Sequence, residues 1–169
     1  METEIQNKPR IGVARNLARK LLKDAGLGNP PISLQKLGDY LATKYNLQLE
    51  GIKDFSDKTS GATVTVNDTP TIAFNKNHRW YRRRFTIAHE IGHYIMKTGH
   101  DSIASALNST DPVELEANEF AAELLMPLQQ FKKDCKNGIS SIDELMEKYQ
   151  VSKEAAGWRL VHSGALGKL

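Results

Sequence analysis

The feature that most constrains the fold of this chain is an H-E-x-x-H motif, formed by His89, Glu90 and His93, within its longest stretch of helical periodicity. The periodic stretch runs from about Asn77, which can cap a helix, to Thr98. Two histidines four residues apart on a helix lie only about 40° apart around its axis, so both imidazoles can bind one cation. Glu90 lies beside this pair rather than opposite it, where a carboxylate can accept a proton from an activated water. The motif therefore predicts a catalytic metal site on a helix.

A histidine pair with an intervening glutamate on a solvated helix face is the structural alternative. A chain of this length and composition contains the pattern by chance on the order of once in a hundred sequences. Gly92 also argues against a solvated face, because glycine inside a helix costs about 1 kcal/mol relative to alanine. A small residue there predicts close approach by another element. The motif lies at the edge of a broad apolar arc made of Phe85, Ala88, Ile91, Gly92, Ile95 and Met96.

A carboxylate is the expected third ligand, because a single cysteine, Cys135, nearly excludes thiolates. A second helix is predicted from Pro112 to Met126. On its helical wheel, Glu114 falls among apolar residues, with Asn118 about 40° away. A buried charge without a partner costs several kcal/mol, so Glu114 is predicted to face the histidines and bind the metal. Asn118 is placed to hydrogen-bond a ligating imidazole and fix its tautomer.

The other glutamates of that helix share a different direction. Glu116, Glu119 and Glu123 fall about 140° to 200° from Glu114 around the axis and form one polar stripe. We expect this stripe to be the solvated face of the helix.

The remaining periodicities predict an α+β fold, in which a small antiparallel sheet packs on helices around the central H-E-x-x-H helix. Alternating residues from Leu47 onward, and a turn at residues 67–70 between two short apolar runs, mark the sheet. Ser33 can cap the second of two N-terminal helices. We expect a single domain over residues 1–169. Its parts are N-terminal helices (10–46), the sheet (47–76), the metal-binding helices (77–127) and a C-terminal helix pair (140–165).

Composition narrows the class of protein. One cysteine cannot form an internal disulfide, and the N-terminal residues lack the apolar run of a signal peptide. No stretch approaches the roughly 18 apolar residues of a membrane span. We therefore expect a soluble, cytoplasmic protein with no membrane partner. The net charge of +3 is too small to indicate a nucleic-acid binder by itself, and direct DNA binding is not expected.

The C-terminal pair, residues 142–149 and 153–162, has the outline of a helix-turn-helix. In that arrangement Trp158, Arg159 and His162 could face DNA. The favoured interpretation is a pair of packing helices, because such pairs are common and the tail is not strongly basic. Its expected core is Leu145, Val151, Ala155 and Leu160.

A basic cluster, Arg79 and Arg82 to Arg84, precedes the histidines. Arg82 lies about 20° from His93 on the wheel and could orient a substrate carboxyl or carbonyl group. A solvated basic face is the favoured interpretation of the cluster. Tyr94 could polarise a scissile carbonyl, although nothing in the spacing selects it. His78 and His100 are expected to be surface histidines.

The run from Arg84 to His93, followed by the run from Glu114 to Pro127, resembles the ImmA/IrrE family of bacterial and phage metallopeptidases. The likeness covers roughly residues 10–165. It implies a zincin-type core, one zinc ion per chain, and cleavage of a transcriptional repressor, often a helix-turn-helix protein encoded nearby in a mobile element. Carried over, His89, His93 and Glu114 would bind zinc and Glu90 would be the general base. Some members carry a fused N-terminal DNA-binding domain that this sequence lacks, so repressor recognition is expected in trans.

The predicted function is a zinc-dependent endopeptidase acting through a metal-activated water. The alternative is a non-proteolytic regulatory protein that keeps the metal and binds a repressor or DNA. A basic face joining Lys153 and Arg159 to the Arg82 to Arg84 cluster would favour this alternative.

Overall fold

The computed structural model describes residues 8–98, 109–139 and 141–165. Within these ranges the chain forms an α+β fold of seven helices and a three-stranded sheet. None of these helices is long and apolar enough to cross a membrane. The elements in chain order are α1 (Ile11–Asp24), α2 (Leu34–Tyr45), β1 (Gln48–Ile52), β2 (Gly61–Val66), β3 (Thr69–Asn75), α3 (Trp80–Met96), α4 (Pro112–Leu125), α5 (Leu128–Lys136), α6 (Ile142–Tyr149) and α7 (Lys153–His162).

The sheet is mixed, which corrects the prediction of a purely antiparallel sheet. β2 and β3 form the predicted hairpin around a two-residue turn, in which Asn67 and Asp68 have φ angles of 48° and 63°. β1 instead runs parallel to β3, so β3 is central and β2 is an edge strand. Alternating apolar residues mark a strand but carry no information about its neighbour or direction, so the sequence could not order this sheet.

The helices follow the predictions closely except around α3 and α5. Ser33 caps α2 as predicted, accepting a hydrogen bond from the Lys36 amide at 3.3 Å. Asn77 does not cap α3, because its side chain donates to the Lys53 carbonyl at 2.6 Å and the helix begins only at Trp80. α5 was not predicted. Its preceding Pro127 stops α4 but also serves as the N-cap residue of α5.

α4 is the central helix of the fold and packs against both α3 and α1. Its contact with α3 is close at Gly92, where a Cβ atom would lie 3.1 Å from three side-chain atoms of Phe120. The close approach that Gly92 predicted is therefore present. Because α4 is covered on both sides, most of its apolar residues and all of its polar residues are buried.

The glutamate stripe of α4 is buried, which corrects the prediction of a solvated face. Glu116, Glu119 and Glu123 are 4%, 4% and 1% exposed. Helix α1 and its N-cap residue Arg10 cover them and supply one arginine to each carboxylate. The pairs of this ion-pair ladder are Arg10–Glu116 (2.8 Å), Arg15–Glu119 (2.6 Å) and Arg19–Glu123 (2.7 Å). A helical wheel identifies a polar stripe, but it does not distinguish water from a second helix as the neighbour of that stripe.

The C-terminal pair packs on the body of the protein, as the favoured interpretation expected. Its four expected core residues are buried. Arg159 is fully buried and donates to the Glu123 carboxylate and to the Met126 carbonyl, the latter from Nη2 at 2.7 Å and from Nε at 3.0 Å. Arg159 therefore cannot face DNA. Trp158 and His162 stack on each other, with ring centroids 4.2 Å apart.

Candidate metal centre

Three side chains with metal-ligating atoms meet where α3 packs on α4. Glu114 Oε2 lies 3.1 Å from His89 Nε2, and Glu114 Oε1 lies 3.3 Å from His93 Nε2. The two Nε2 atoms are 3.0 Å apart, and all three side chains are buried. Among the described residues, this His-His-Glu cluster is a group that could hold a metal ion.

The donor set of the cluster fits zinc. Nitrogen and oxygen ligands lie about 2.0 to 2.2 Å from a tetrahedral zinc ion, so two such ligands lie about 3.3 Å apart. The three separations in the cluster, 3.0, 3.1 and 3.3 Å, are close to this value. Two imidazoles that carry hydrogen on Nδ1 direct Nε2 lone pairs at each other, which is unfavourable unless a cation lies between them. The arrangement is one that a cation would stabilise.

The far nitrogen of each imidazole has an oxygen partner of its own. His89 Nδ1 lies 2.9 Å from Asn118 Oδ1, which belongs to the same helix as Glu114. His93 Nδ1 lies 2.9 Å from Thr98 Oγ1, just beyond the end of α3. An oxygen that accepts from Nδ1–H orients the ring and leaves the Nε2 lone pair for a metal. Asn118 was named from the sequence, whereas Thr98 was not.

Glu90 is 3% exposed and lies next to the cluster on α3. Thr63 of the edge strand β2 donates from Oγ1 to Glu90 Oε2 at 3.3 Å. The strand approaches α3 closely because Gly61 has no side chain, and a Cβ atom there would lie 2.6 Å from Thr86 Cγ2 and 3.3 Å from Glu90 Cγ. The carboxylate is thus held between the helix and the strand. Neither Gly61 nor Thr63 was predicted, because strand-to-helix packing has no local sequence signal.

The ionisation of Glu114 follows from its neighbours. Burial opposes the charged carboxylate, but His89 and His93, which can donate from Nε2 whenever that nitrogen carries a proton, outweigh burial and lower the pKa of Glu114. Glu114 is therefore a carboxylate at neutral pH, which is the form that binds a metal.

The basic cluster before the histidines divides into exposed and buried members. Arg79 and Arg82 are exposed, and Arg82 Nη2 donates to Ser60 Oγ at 2.9 Å. Arg84 is 2% exposed, which corrects the expectation of a solvated face at this position. It donates to the backbone carbonyls of Gln150 (3.0 Å) and Ile32 (2.9 Å). Burial lowers the pKa of Arg84 to about 10.

The other residues singled out from the sequence lie away from the cluster or outside the described ranges. Tyr94 is half-buried and packs against the hydrophobic core. His78 is partly buried rather than on the surface, with Nε2 at 3.1 Å from the Asp57 carbonyl oxygen. His100 lies outside the described residues. Cys135 is buried.

Comparison with known proteins identifies the class to which this fold and cluster belong. The family model of the IrrE N-terminal-like domain, in the M78 peptidase family, matches residues 43–161, which is more than half of the chain. The chain therefore belongs to the ImmA/IrrE family, whose assignment implies a metallopeptidase. The three ladder arginines, which are the N-cap residue Arg10 and two residues of α1, precede the matched region.

A solved structure shares the fold. A Mycobacterium tuberculosis transcriptional regulator is 18% identical, with a TM-score of 0.66. The match covers 88% of this chain and 46% of the regulator, so this chain spans about half the length of that protein. A search of curated proteins found no significant match.

Proposed function

We propose that the protein is a zinc-dependent endopeptidase with a zincin-type core. The observation that carries this proposal is the buried cluster of His89, His93 and Glu114, with the Glu90 carboxylate beside it on the same helix turn. Three protein ligands that leave a fourth position open are typical of catalytic zinc sites rather than structural ones. Membership of the M78 peptidase family supports the same activity.

Zinc in such a site supplies Lewis-acid chemistry, because it activates a water molecule and polarises a carbonyl group. The residues of this chain would hold the metal and move the proton. Glu90 would accept a proton from the attacking water and deliver it to the amide nitrogen that leaves, so that water and a peptide bond become a carboxylic acid and an amine. Thr63 holds Oε2 of Glu90 and so fixes the direction in which the carboxylate points.

The outer edge of β2 would bind the substrate in an extended conformation. No strand among the described residues pairs with that edge. A peptide added there gains main-chain hydrogen bonds with little demand on its sequence.

The order of contacts along β2 and the residue before it supports a substrate-binding role for Arg82. Ser60 contacts Arg82, Gly61 lies against Thr86, and Thr63 contacts Glu90, so β2 runs in the same direction as α3. A peptide antiparallel to β2 would therefore run from Glu90 toward Arg82. The helix rises about 12 Å over these eight residues, which equals three or four residues of extended chain. An acidic substrate residue at about that distance on the C-terminal side of the cleaved bond would meet the Arg82 guanidinium.

We further propose that the substrate is a helix-turn-helix repressor encoded nearby and recognised in trans. The ImmA/IrrE membership supports a role in transcriptional control, and the structural relative is itself described as a transcriptional regulator. The non-proteolytic alternative is less well supported in its DNA-binding form. Arg84 and Arg159, which would have to join one basic face, are both buried.

The test is co-expression of the protein with the repressor from the neighbouring gene, followed by mass spectrometry of fragments. The zinc-loaded wild type should cleave the repressor, and Glu90→Gln should lose at least about 100-fold in rate while keeping its zinc, as expected for loss of a general base. Glu147→Gln, an exposed glutamate on α6, is the matched control and should cleave normally. Cleavage by Glu90→Gln at near the wild-type rate would exclude Glu90 as the base. A stable complex without fragments would support the non-proteolytic alternative.

A further inference from the structure

The end of α3 returns the chain to one of the proposed metal ligands. After Met96, Lys97 has a left-handed conformation with φ of 55°. The Lys97 amide donates to the Tyr94 carbonyl at 3.3 Å, and the Thr98 amide donates to the His93 carbonyl at 3.1 Å. This pair of bonds is the pattern that reverses a chain at a helix end. It brings Thr98 back to the level of His93, five residues earlier.

The Thr98 hydroxyl contacts both the ring and the backbone of that same histidine. Its Oγ1 lies 2.9 Å from His93 Nδ1 and 3.5 Å from the His93 carbonyl oxygen. A carbonyl oxygen can only accept, so the hydroxyl can point its hydrogen toward it and accept from Nδ1–H with a lone pair. This arrangement favours the tautomer with hydrogen on Nδ1, in which the Nε2 lone pair faces the cluster.

The two histidines are therefore oriented by different parts of the fold. The partner of His89 is Asn118 on α4, so its orientation depends on how α3 packs against α4. The partner of His93 belongs to the end of α3 itself, so its orientation depends on the left-handed turn at Lys97. Each partner controls one ligand.

We propose that Thr98 is a positioning residue for the metal centre, which holds His93 in the rotamer and tautomer that bind zinc. The inference rests on the proposed metal function of the cluster. The threonine acts through His93 and need not touch the metal or the substrate. Partners of this kind change metal affinity by about 10- to 100-fold when they are removed.

The test measures zinc affinity by competition with a chelator, so it needs no substrate. Thr98→Val keeps the shape of the side chain and removes the hydroxyl, and it should weaken zinc binding about 10- to 100-fold. Thr98→Ser keeps the hydroxyl and should stay within about threefold of the wild type. Thr43→Val is the matched control, because the Thr43 hydroxyl donates to the Asp39 carbonyl at 2.9 Å on the exposed side of α2. It should leave zinc affinity unchanged.

A cobalt-loaded sample gives a second measurement that a merely structural role would not move. The visible absorption of cobalt reports ligand geometry, so the bands should shift in Thr98→Val and remain in Thr98→Ser. Thr98→Ala serves as a second hydroxyl-free variant if the valine variant folds poorly. If the hydroxyl-free variants keep the wild-type zinc affinity and cobalt spectrum, the positioning role of Thr98 is overturned but the proposed function is not. Equal losses of zinc affinity in the serine and valine variants would have the same meaning. A wild type that binds no zinc would overturn the proposed function as well.

Discussion

Both faces of α4 carry buried glutamates, but the partners of these glutamates differ between the two faces. On one face Glu116, Glu119 and Glu123 are buried against arginines of α1 and its N-cap, and Arg159 adds a second cation at Glu123. On the opposite face Glu114 is equally buried, but it meets the two histidines His89 and His93. A buried carboxylate requires a compensating positive charge in either case.

The difference lies in where that charge comes from. Arginine is always protonated, so the ladder carboxylates are neutralised by the chain itself. Imidazoles with hydrogen on Nδ1 are neutral and offer lone pairs, so the charge opposite Glu114 is left to a metal ion. The same residue type is therefore structural on one face of the helix and a candidate ligand on the other.

The largest effect should come from removing the carboxylate on the metal-facing side. Glu114→Ala should weaken zinc binding by at least about 100-fold, because three protein ligands share a binding free energy of roughly 10 kcal/mol or more. Glu116→Gln, on the ladder side, is the matched control and should bind zinc as the wild type does. Chelator competition at pH 7 measures both. Loss of zinc in Glu116→Gln with retention in Glu114→Ala would reverse the assignment of the two faces.

The next largest effect should come from the buried end of the ladder. Glu123→Ala removes the carboxylate that the buried Arg159 Nη2 contacts and leaves only Glu119, whose Oε2 lies 3.9 Å from Nη1, so the free energy of unfolding should fall by about 3–5 kcal/mol. Denaturant titration of the metal-free protein measures this change. Replacing both partners, with Glu123→Leu and Arg159→Met, should recover most of the loss, because the buried guanidinium is removed together with its carboxylate. A double variant as unstable as Glu123→Ala would mean that packing, rather than charge, holds this end of the ladder.

The metal-facing side of α4 could be predicted from the sequence, whereas the ladder side could not. The spacing of His89 and His93 is geometry within one helix, and the position of Glu114 among apolar residues is geometry within another. The ladder depends on arginines about a hundred residues away in the chain. A wheel drawn for α4 alone contains no information about α1, so the polar stripe was assigned to water.

The same distinction explains the other differences between prediction and structure. β1 and β2 lie at opposite edges of the sheet, with β3 between them and parallel to β1. This strand order depends on contacts that are distant in the sequence. The role of Thr98 depends on the left-handed backbone conformation of Lys97, which lysine rarely adopts. The position of Thr63 beside Glu90 depends on how the edge strand packs on α3.

A smaller effect should follow from changing the contact between the two metal-binding helices. Gly92→Ala places a methyl group 3.1 Å from Phe120 atoms, and overpacking of this kind costs about 1–3 kcal/mol. Because α3 must move away from α4, zinc affinity should fall together with stability. Gly12→Ala in α1, where no atom lies within 4 Å of the new Cβ, is the matched control and should not destabilise the protein. Unfolding and zinc titration of both variants measure the contrast, and equal behaviour would show that the helices do not depend on this close approach.

The smallest effect should come from the exposed end of the ladder, and it should depend on pH. Hydrogen bonding from Arg10 lowers the pKa of Glu116 below its ordinary value of 4.5. Below that value the unfolded chain binds a proton that the folded chain does not, so the pair stabilises the fold above pH 4.5 and loses its contribution as the pH falls. Glu116→Gln should therefore be less stable than the wild type at neutral pH, and the difference should shrink in acid.

The two ends of the ladder should differ in how much stability is lost when a carboxylate is removed. The Arg10 side chain is 55% exposed, so water screens its pair with Glu116, whereas Arg159 beside Glu123 is fully buried. The loss of stability in Glu116→Gln at pH 7 should therefore be well below the loss in Glu123→Ala. Denaturant titrations of both variants and the wild type between pH 3 and pH 7 make the comparison. If the difference in free energy of unfolding between Glu116→Gln and the wild type stays constant over this range, the contribution of Glu116 is not electrostatic. An electrostatic contribution would disappear when the carboxylate is protonated in acid.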